Sequence, residues 1–387
     1  MRQKLSADYI FDGEKLHQNA VLVLESEKVV ALRPKSVSDE ISQFYKGLLM
    51  PGFINTHCHL ELSHMANKVA TGTGLLTFLR SVVSMRDVDQ KIVMDAIAKQ
   101  DQYMWNQGIQ AVGDISNKAD TAATKAASKI QYYTFVEMFD LLQDGFTENS
   151  YAQYYEAYKG FDSENGNNRS AVPHAPYTVT KALFEKINLL NTELSTISIH
   201  NQETPDEDQY FIDKSGGFTE FYSAIGINDE QFSPIGKQSI YYAMENMDAK
   251  QKTLFVHNTL TTSQNIRDTK AWNEQVYWAT CANANLYIEN ALPNYEAFIA
   301  ENAKVTIGTD SLTSNWQLSI LEELKTIQKF NSFIPTGVLL KWATKNGAEA
   351  LSFDNLGSFE KDKTPGVILL EEFDGISLQN CEVKRIY

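Results

Sequence analysis

The sequence predicts an α/β fold, a (β/α)8 TIM barrel carrying a small β-sandwich module built from both chain ends. Three observations predict it. Strand-like and helix-like stretches alternate through the middle of the chain, eight such strands can be picked out, and polar residues recur where those strands end. The length of 387 residues suits a barrel of about 250 residues plus an accessory unit.

The strands follow in order. The first runs from Leu48 to His57, the second from Ile109 to Asp114, the third from Gln131 to Glu137 and the fourth from Ala171 to His174. The fifth runs from Thr196 to His200, the sixth from Thr253 to His257, the seventh from Val276 to Cys281 and the eighth from Val305 to Asp310. Helical stretches such as Lys91 to Asn106 and Thr180 to Leu190 lie between them. At the start of the chain, Ala20 to Leu24 and Lys28 to Leu32 flank a polar turn, the pattern of a hairpin. A similar apolar run, Gly366 to Glu371, lies near the other end. The expected division is therefore a β-module from residues 1–48 and 350–387 and a barrel from 49–349.

Bulk properties remove several function classes. The net charge of −15 argues against nucleic acid or anionic membranes as partners, since both need a basic face. No run of eighteen apolar residues is present, so no transmembrane helix is expected, and the first residues lack an apolar signal core. Cys58, Cys281 and Cys381 are far apart and odd in number, which argues against a disulfide framework. A cytoplasmic protein acting on a small molecule is the expectation.

The chemistry-bearing residues sit at strand ends: His57, Asp114, Glu137, His174, His200, His257 and Asp310. In such barrels reactive groups gather at the C-terminal mouth. His57-Cys58-His59 can place two imidazoles on one side, because residues two apart on a strand share a face. Alone, such a pair is weak evidence, since histidines often cap strands as polar groups. His200 and Asp310, at two further strand ends, complete four ligands and leave a position for water, a set that suits zinc or ferrous iron. Glu203, three residues beyond His200, is placed to move protons, and His257 to orient a water.

Together these pieces resemble the amidohydrolase superfamily, in its deaminase and chlorohydrolase branch. The matching motifs are Pro51 to Leu60, His174-Ala175-Pro176-Tyr177, His200 to Glu203, Val256-His257-Asn258 and Gly308-Thr309-Asp310-Ser311. The resemblance implies one divalent metal, zinc or alternatively iron, bound by His57, His59, His200 and Asp310. It implies a proton shuttle at Glu203, a water-orienting His257, and substrate near His174. No lysine ends the fourth strand, so a one-metal site is expected. The strings His59-Leu60-Glu61-Leu62-Ser63 and Ile307 to Asn315 are similar to aminofutalosine deaminases, which makes Glu61 a substrate contact. Trp316 is a further candidate for the pocket wall, and Gly72 to Arg80 a candidate cover. The seventh-strand motif departs from the usual Cys-Pro-X-Ser-Asn and reads Cys281-Ala282-Asn283-Ala284-Asn285.

The implied reaction is attack of metal-activated hydroxide on the amino-bearing ring carbon of a purine-like nucleoside, with release of ammonia. Asp310 takes the water proton and Glu203 protonates the ring nitrogen. The implied substrates include 6-amino-6-deoxyfutalosine. The alternatives are the same machinery with an amide or halide leaving group, or a barrel that binds a ligand without turnover. The resemblance also admits a homodimer.

Overall fold

A computed structural model describes residues 2–39, 42–161 and 166–387. Eight parallel strands form the barrel: Phe53–Cys58, Ile109–Ser116, Gln131–Met138, Asn168–Pro173, Thr196–Asn201, Lys252–His257, Val276–Thr280 and Val305–Ile307. The first four pair in sequence order, and so do the last four. Two seams join these halves. At one, His200 N donates to His174 O at 2.9 Å. At the other, Cys58 bridges to Asp310 in parallel, and the amides of Thr309 and Asp310 both donate to His57 O at 2.9 and 3.0 Å. His57, His174, His200 and Asp310, candidates from the sequence, thus also take part in the closure of the barrel.

The crossover helices have local reasons to start where they do. Thr180 caps the helix Lys181–Leu190 by accepting from Leu183 N at 3.2 Å. That helix then buries Leu183, Phe184 and Ile187 against the strands, the spacing of one helical face. Asp89 does the same for Gln90–Asn106, accepting from Lys91 N at 2.9 Å.

The chain ends meet in one seven-stranded mixed sheet. Its main path runs from Glu382–Arg385 through Ile368–Glu371, Gln43–Met50, Arg2–Phe11 and Ala20–Glu25 to Lys28–Pro34. The predicted hairpin forms, and its two turn residues, Ser26 and Glu27, take φ values of +51° and +68°. This is the mirror-image turn that matches strand twist. Alternation then sorts the side chains. Leu48, Met50, Ile368 and Leu370 join the barrel core, whereas Leu49 and Leu369 join Leu5, Leu22 and Leu24 in a separate cluster on the other face.

The structure corrects one element. The expected single strand from Leu48 to His57 is two strands, Gln43–Met50 in the end sheet and Phe53–Cys58 in the barrel. Pro51 has no amide hydrogen to continue a ladder, and Gly52 N turns away to Pro365 O at 3.0 Å. Gly52 also packs where a Cβ would fall 3.1 Å from that oxygen. No helix among the described residues is long and apolar enough to cross a membrane.

Candidate metal centre and active site

The site begins at an irregularity in the first barrel strand. Asn55 pairs with Val112 but Cys58 pairs with Asp114, so three steps on one strand match two on the other. Such a bulge re-aims side chains. Here His57 and His59 both turn into the mouth, with their Nε2 atoms 3.2 Å apart. Asp310 Oδ1 lies 3.6 Å from the first and 3.3 Å from the second.

His200 enters from the fifth strand, its ring centre 4.9 Å from that of His57. Its Nδ1–H donates to His174 O at 2.9 Å, which leaves the Nε2 lone pair free. His257 is set in the same way. Its Nδ1–H donates to Asn285 Oδ1 at 2.9 Å, and its Nε2 lies 3.7 Å from Glu203 Oε2. The ligand atoms of His57, His59 and Asp310 lie within 4.8 Å of one another, as do those of His57, His200 and His257. His257 and Asp310 hold φ at +71° and +57°. Residues with a Cβ rarely adopt this left-handed backbone, and where they do it often marks a functional site.

A model of the amidohydrolase family matches residues 48–384. The chain belongs to the amidohydrolase family. It is a hydrolase acting on carbon–nitrogen bonds. Among curated relatives, it is 26% identical to an adenosine deaminase of Helicobacter pylori over 83% of this chain and 78% of that one. It is 25% identical to an aminodeoxyfutalosine deaminase of Nitratiruptor over 85% of this chain and 80% of that one. In fold it resembles the aminofutalosine deaminase of Helicobacter pylori in complex with methylthio-coformycin, with a TM-score of 0.83, full coverage of both chains and 21% identity. It also resembles a zinc-bound adenosine deaminase of Xanthomonas campestris, with a TM-score of 0.76, 19% identity, and coverage of 95% of this chain and 84% of that one.

Electrostatics of this amidohydrolase site follow from burial. Burial lowers the pKa of His57, His200 and His257, and takes that of His59 to about 3, so all four imidazoles are neutral and present lone pairs at pH 7. For Asp310, burial acts upward, but hydrogen bonding with His57 works against it, and its pKa lies well below the usual carboxylate range. Neutral nitrogens around one ionised oxygen form a donor set that fits a divalent cation. Glu203 behaves oppositely. Burial, with the nearby charges of Asp310 and Glu289, raises its pKa well above the usual carboxyl range and so favours its protonated form.

The other sequence candidates fall as follows. His174 lies one residue beyond the fourth strand, its ring centre 4.9 Å from that of His200. Glu61 is buried, and its oxygens meet protein partners: Arg86 at 3.4 Å on one, Asn117 N at 3.0 Å on the other. Trp316 is half exposed and leans on Tyr287. The segment from Gly72 continues into the helix Leu75–Met85, and its start is laced to the helix Ala282–Glu289. Gly74 N donates to Ile288 O at 3.0 Å and Leu75 N to Glu289 Oε1 at 2.6 Å.

Sequence reading missed two supports. Asn285, the last residue of the divergent seventh-strand motif, is what fixes the His257 ring. Glu207, in the acidic run after Pro205, is fully buried rather than solvated, and its carboxylate accepts from Gln202 N and Glu203 N at 3.0 and 3.1 Å. The signal was Thr204-Pro205-Asp206-Glu207, a helix-start pattern whose last residue reaches back to free amides. Glu207→Ala should free the Glu203 backbone and lower kcat about tenfold with metal content unchanged, for a loss of about 1.4 kcal/mol of transition-state stabilisation. Steady-state kinetics beside metal analysis checks this, and an unchanged kcat would refute it.

Proposed function

We propose that this chain is a one-metal aminohydrolase that releases ammonia from the amino-bearing ring carbon of an adenosine-like nucleoside. The observation that carries the reading is the convergence of His57, His59, His200 and Asp310 beside the buried pair of Glu203 and His257. The four converging side chains would hold the ion, zinc by preference and iron as the alternative. A divalent ion there supplies Lewis acidity, bringing the pKa of a water down toward neutrality. The chain's own groups do the rest. Asp310, ionised, accepts the proton that the attacking water loses and then gives it to the amino group, which departs as ammonia when the C–N bond breaks. Glu203 in its protonated form delivers its proton to the ring nitrogen beside the attacked carbon, and takes back the hydroxyl proton of the intermediate as the carbonyl forms. His257 fixes the attacking oxygen through Nε2, since Nδ1 is held by Asn285. His174 contributes to the nucleoside pocket, with Trp316 at its lip and Glu61 towards the sugar.

The nucleoside reading is supported by the relatives' names, which are adenosine, 5'-deoxyadenosine and aminodeoxyfutalosine deaminases. The 6-amino-6-deoxyfutalosine nucleoside is accordingly the first substrate to try. Zinc-loaded protein should release ammonia from it or from adenosine, 5'-deoxyadenosine or a close analogue, followed by a coupled ammonia assay. Metal-loaded protein that releases none from any of them would move the assignment to another leaving group on the same site.

A further inference from the structure

Behind the metal cluster lies a buried ion pair that the reaction does not use. Lys125, on the short helix Ala122–Ala127, reaches inward to Asp114 Oδ2 at 2.6 Å, with both side chains almost wholly buried. Its other two ammonium hydrogens are taken by Ser116 Oγ at 3.1 Å and Thr134 Oγ1 at 3.0 Å, so all three donors are satisfied. The ammonium also faces the Phe161 ring, 4.7 Å from its centre. The second Asp114 oxygen accepts from Leu60 N at 2.8 Å, and Leu60 follows His59 directly. Asp114 is also the residue paired with Cys58, just past the bulge that turns His57 and His59 inward. Stability alone does not explain such a pair, because an apolar pair of similar volume is often as stable or more so. What it supplies that apolar groups cannot is a fixed acceptor for the chain beside His59.

We propose that the Lys125–Asp114 pair is a positioning device for His59, clamping the backbone at Leu60 so that the imidazole stays in metal-binding geometry. This rests on His59 being a metal ligand. Lys125 holds the carboxylate in place, and the carboxylate holds Leu60; neither touches substrate. The same logic applies to outer partners of metal ligands generally, whose loss weakens metal binding about 10- to 100-fold.

The test uses two double variants of the full chain, with zinc affinity read by competition against a chelator and folding read by melting without zinc. Asp114→Leu with Lys125→Met keeps the core filled but offers Leu60 no acceptor. It should melt close to wild type and bind zinc about 10- to 100-fold more weakly. Asp114→Asn with Lys125→Met keeps an amide oxygen for Leu60 N and should recover affinity close to wild type. Undiminished affinity in the first variant, or equal weakening in both, would overturn the proposal. If the first fails to fold, Lys125→Met alone is compared with the asparagine variant. The single variant should bind zinc more weakly, because its carboxylate has lost the partner that holds it, and equal affinity overturns the clamp. Wild-type chain that binds no zinc sinks the metal reading itself, which separates the two failures.

Discussion

Glu203→Gln should reduce kcat by about 10²- to 10⁴-fold while leaving bound metal at the wild-type level. Glutamine keeps the size of the side chain and its place beside His257 but has no proton to give. The site makes that proton available: burial raises the Glu203 pKa well above the usual range, and the amides held by Glu207 fix the backbone from which it projects. Because the missing transfer belongs to the transition state, KM should move far less than kcat. Parallel measurement of kcat, KM and metal content decides it, and a variant with wild-type turnover would remove Glu203 from the reaction.

The second large effect is loss of the ion itself. His200→Ala deletes one lone pair from the cluster and should leave the chain without stoichiometric zinc and without activity. In wild type, zinc at about a hundred times its dissociation constant should stabilise the fold by about 2.7 kcal/mol, and the variant should show no such gain. Melting with and without zinc reads the difference, and an equal rise in both proteins would exclude His200 as a ligand. Removing zinc also exposes a pH dependence. Folded His59 stays neutral down to about pH 3, whereas an unfolded histidine takes up a proton near 6.5. Between these values the unfolded state binds more protons, so the apo chain should lose stability as pH falls through that window.

The barrel and its candidate ligands were legible in the sequence because both are written in periodic form. Seven of the eight strands read from the sequence end on a histidine or a carboxylate, so strand order and site placement support each other. What escaped was whatever depends on a partner remote in sequence. Glu207 looks like a solvated charge until the Gln202 and Glu203 amides close over it. Lys125 reads as a surface helix lysine until the second and third strands enclose it with Asp114. Glu137 was seen as a strand end, but its proximity to His200 Nδ1, at 3.5 Å, needs two non-adjacent strands to be in place. The break at Pro51-Gly52 was visible as residue types, yet an unbroken apolar pattern on both sides outweighed it.

The end sheet sets an order on synthesis. Arg2–Phe11 and Gln43–Met50 leave the ribosome before any barrel strand, but Gln43–Met50 finds its neighbour Ile368–Glu371 only when the last part of the chain emerges. Until then the early strands carry an unpaired edge, and the barrel's own seam, between His57 and Asp310, also waits for late residues. Contacts this distant in sequence make for slow folding and a long exposure of sticky edges. A permuted chain in which Arg2–Phe11, Gln43–Met50 and Ile368–Glu371 are made together should therefore fold faster.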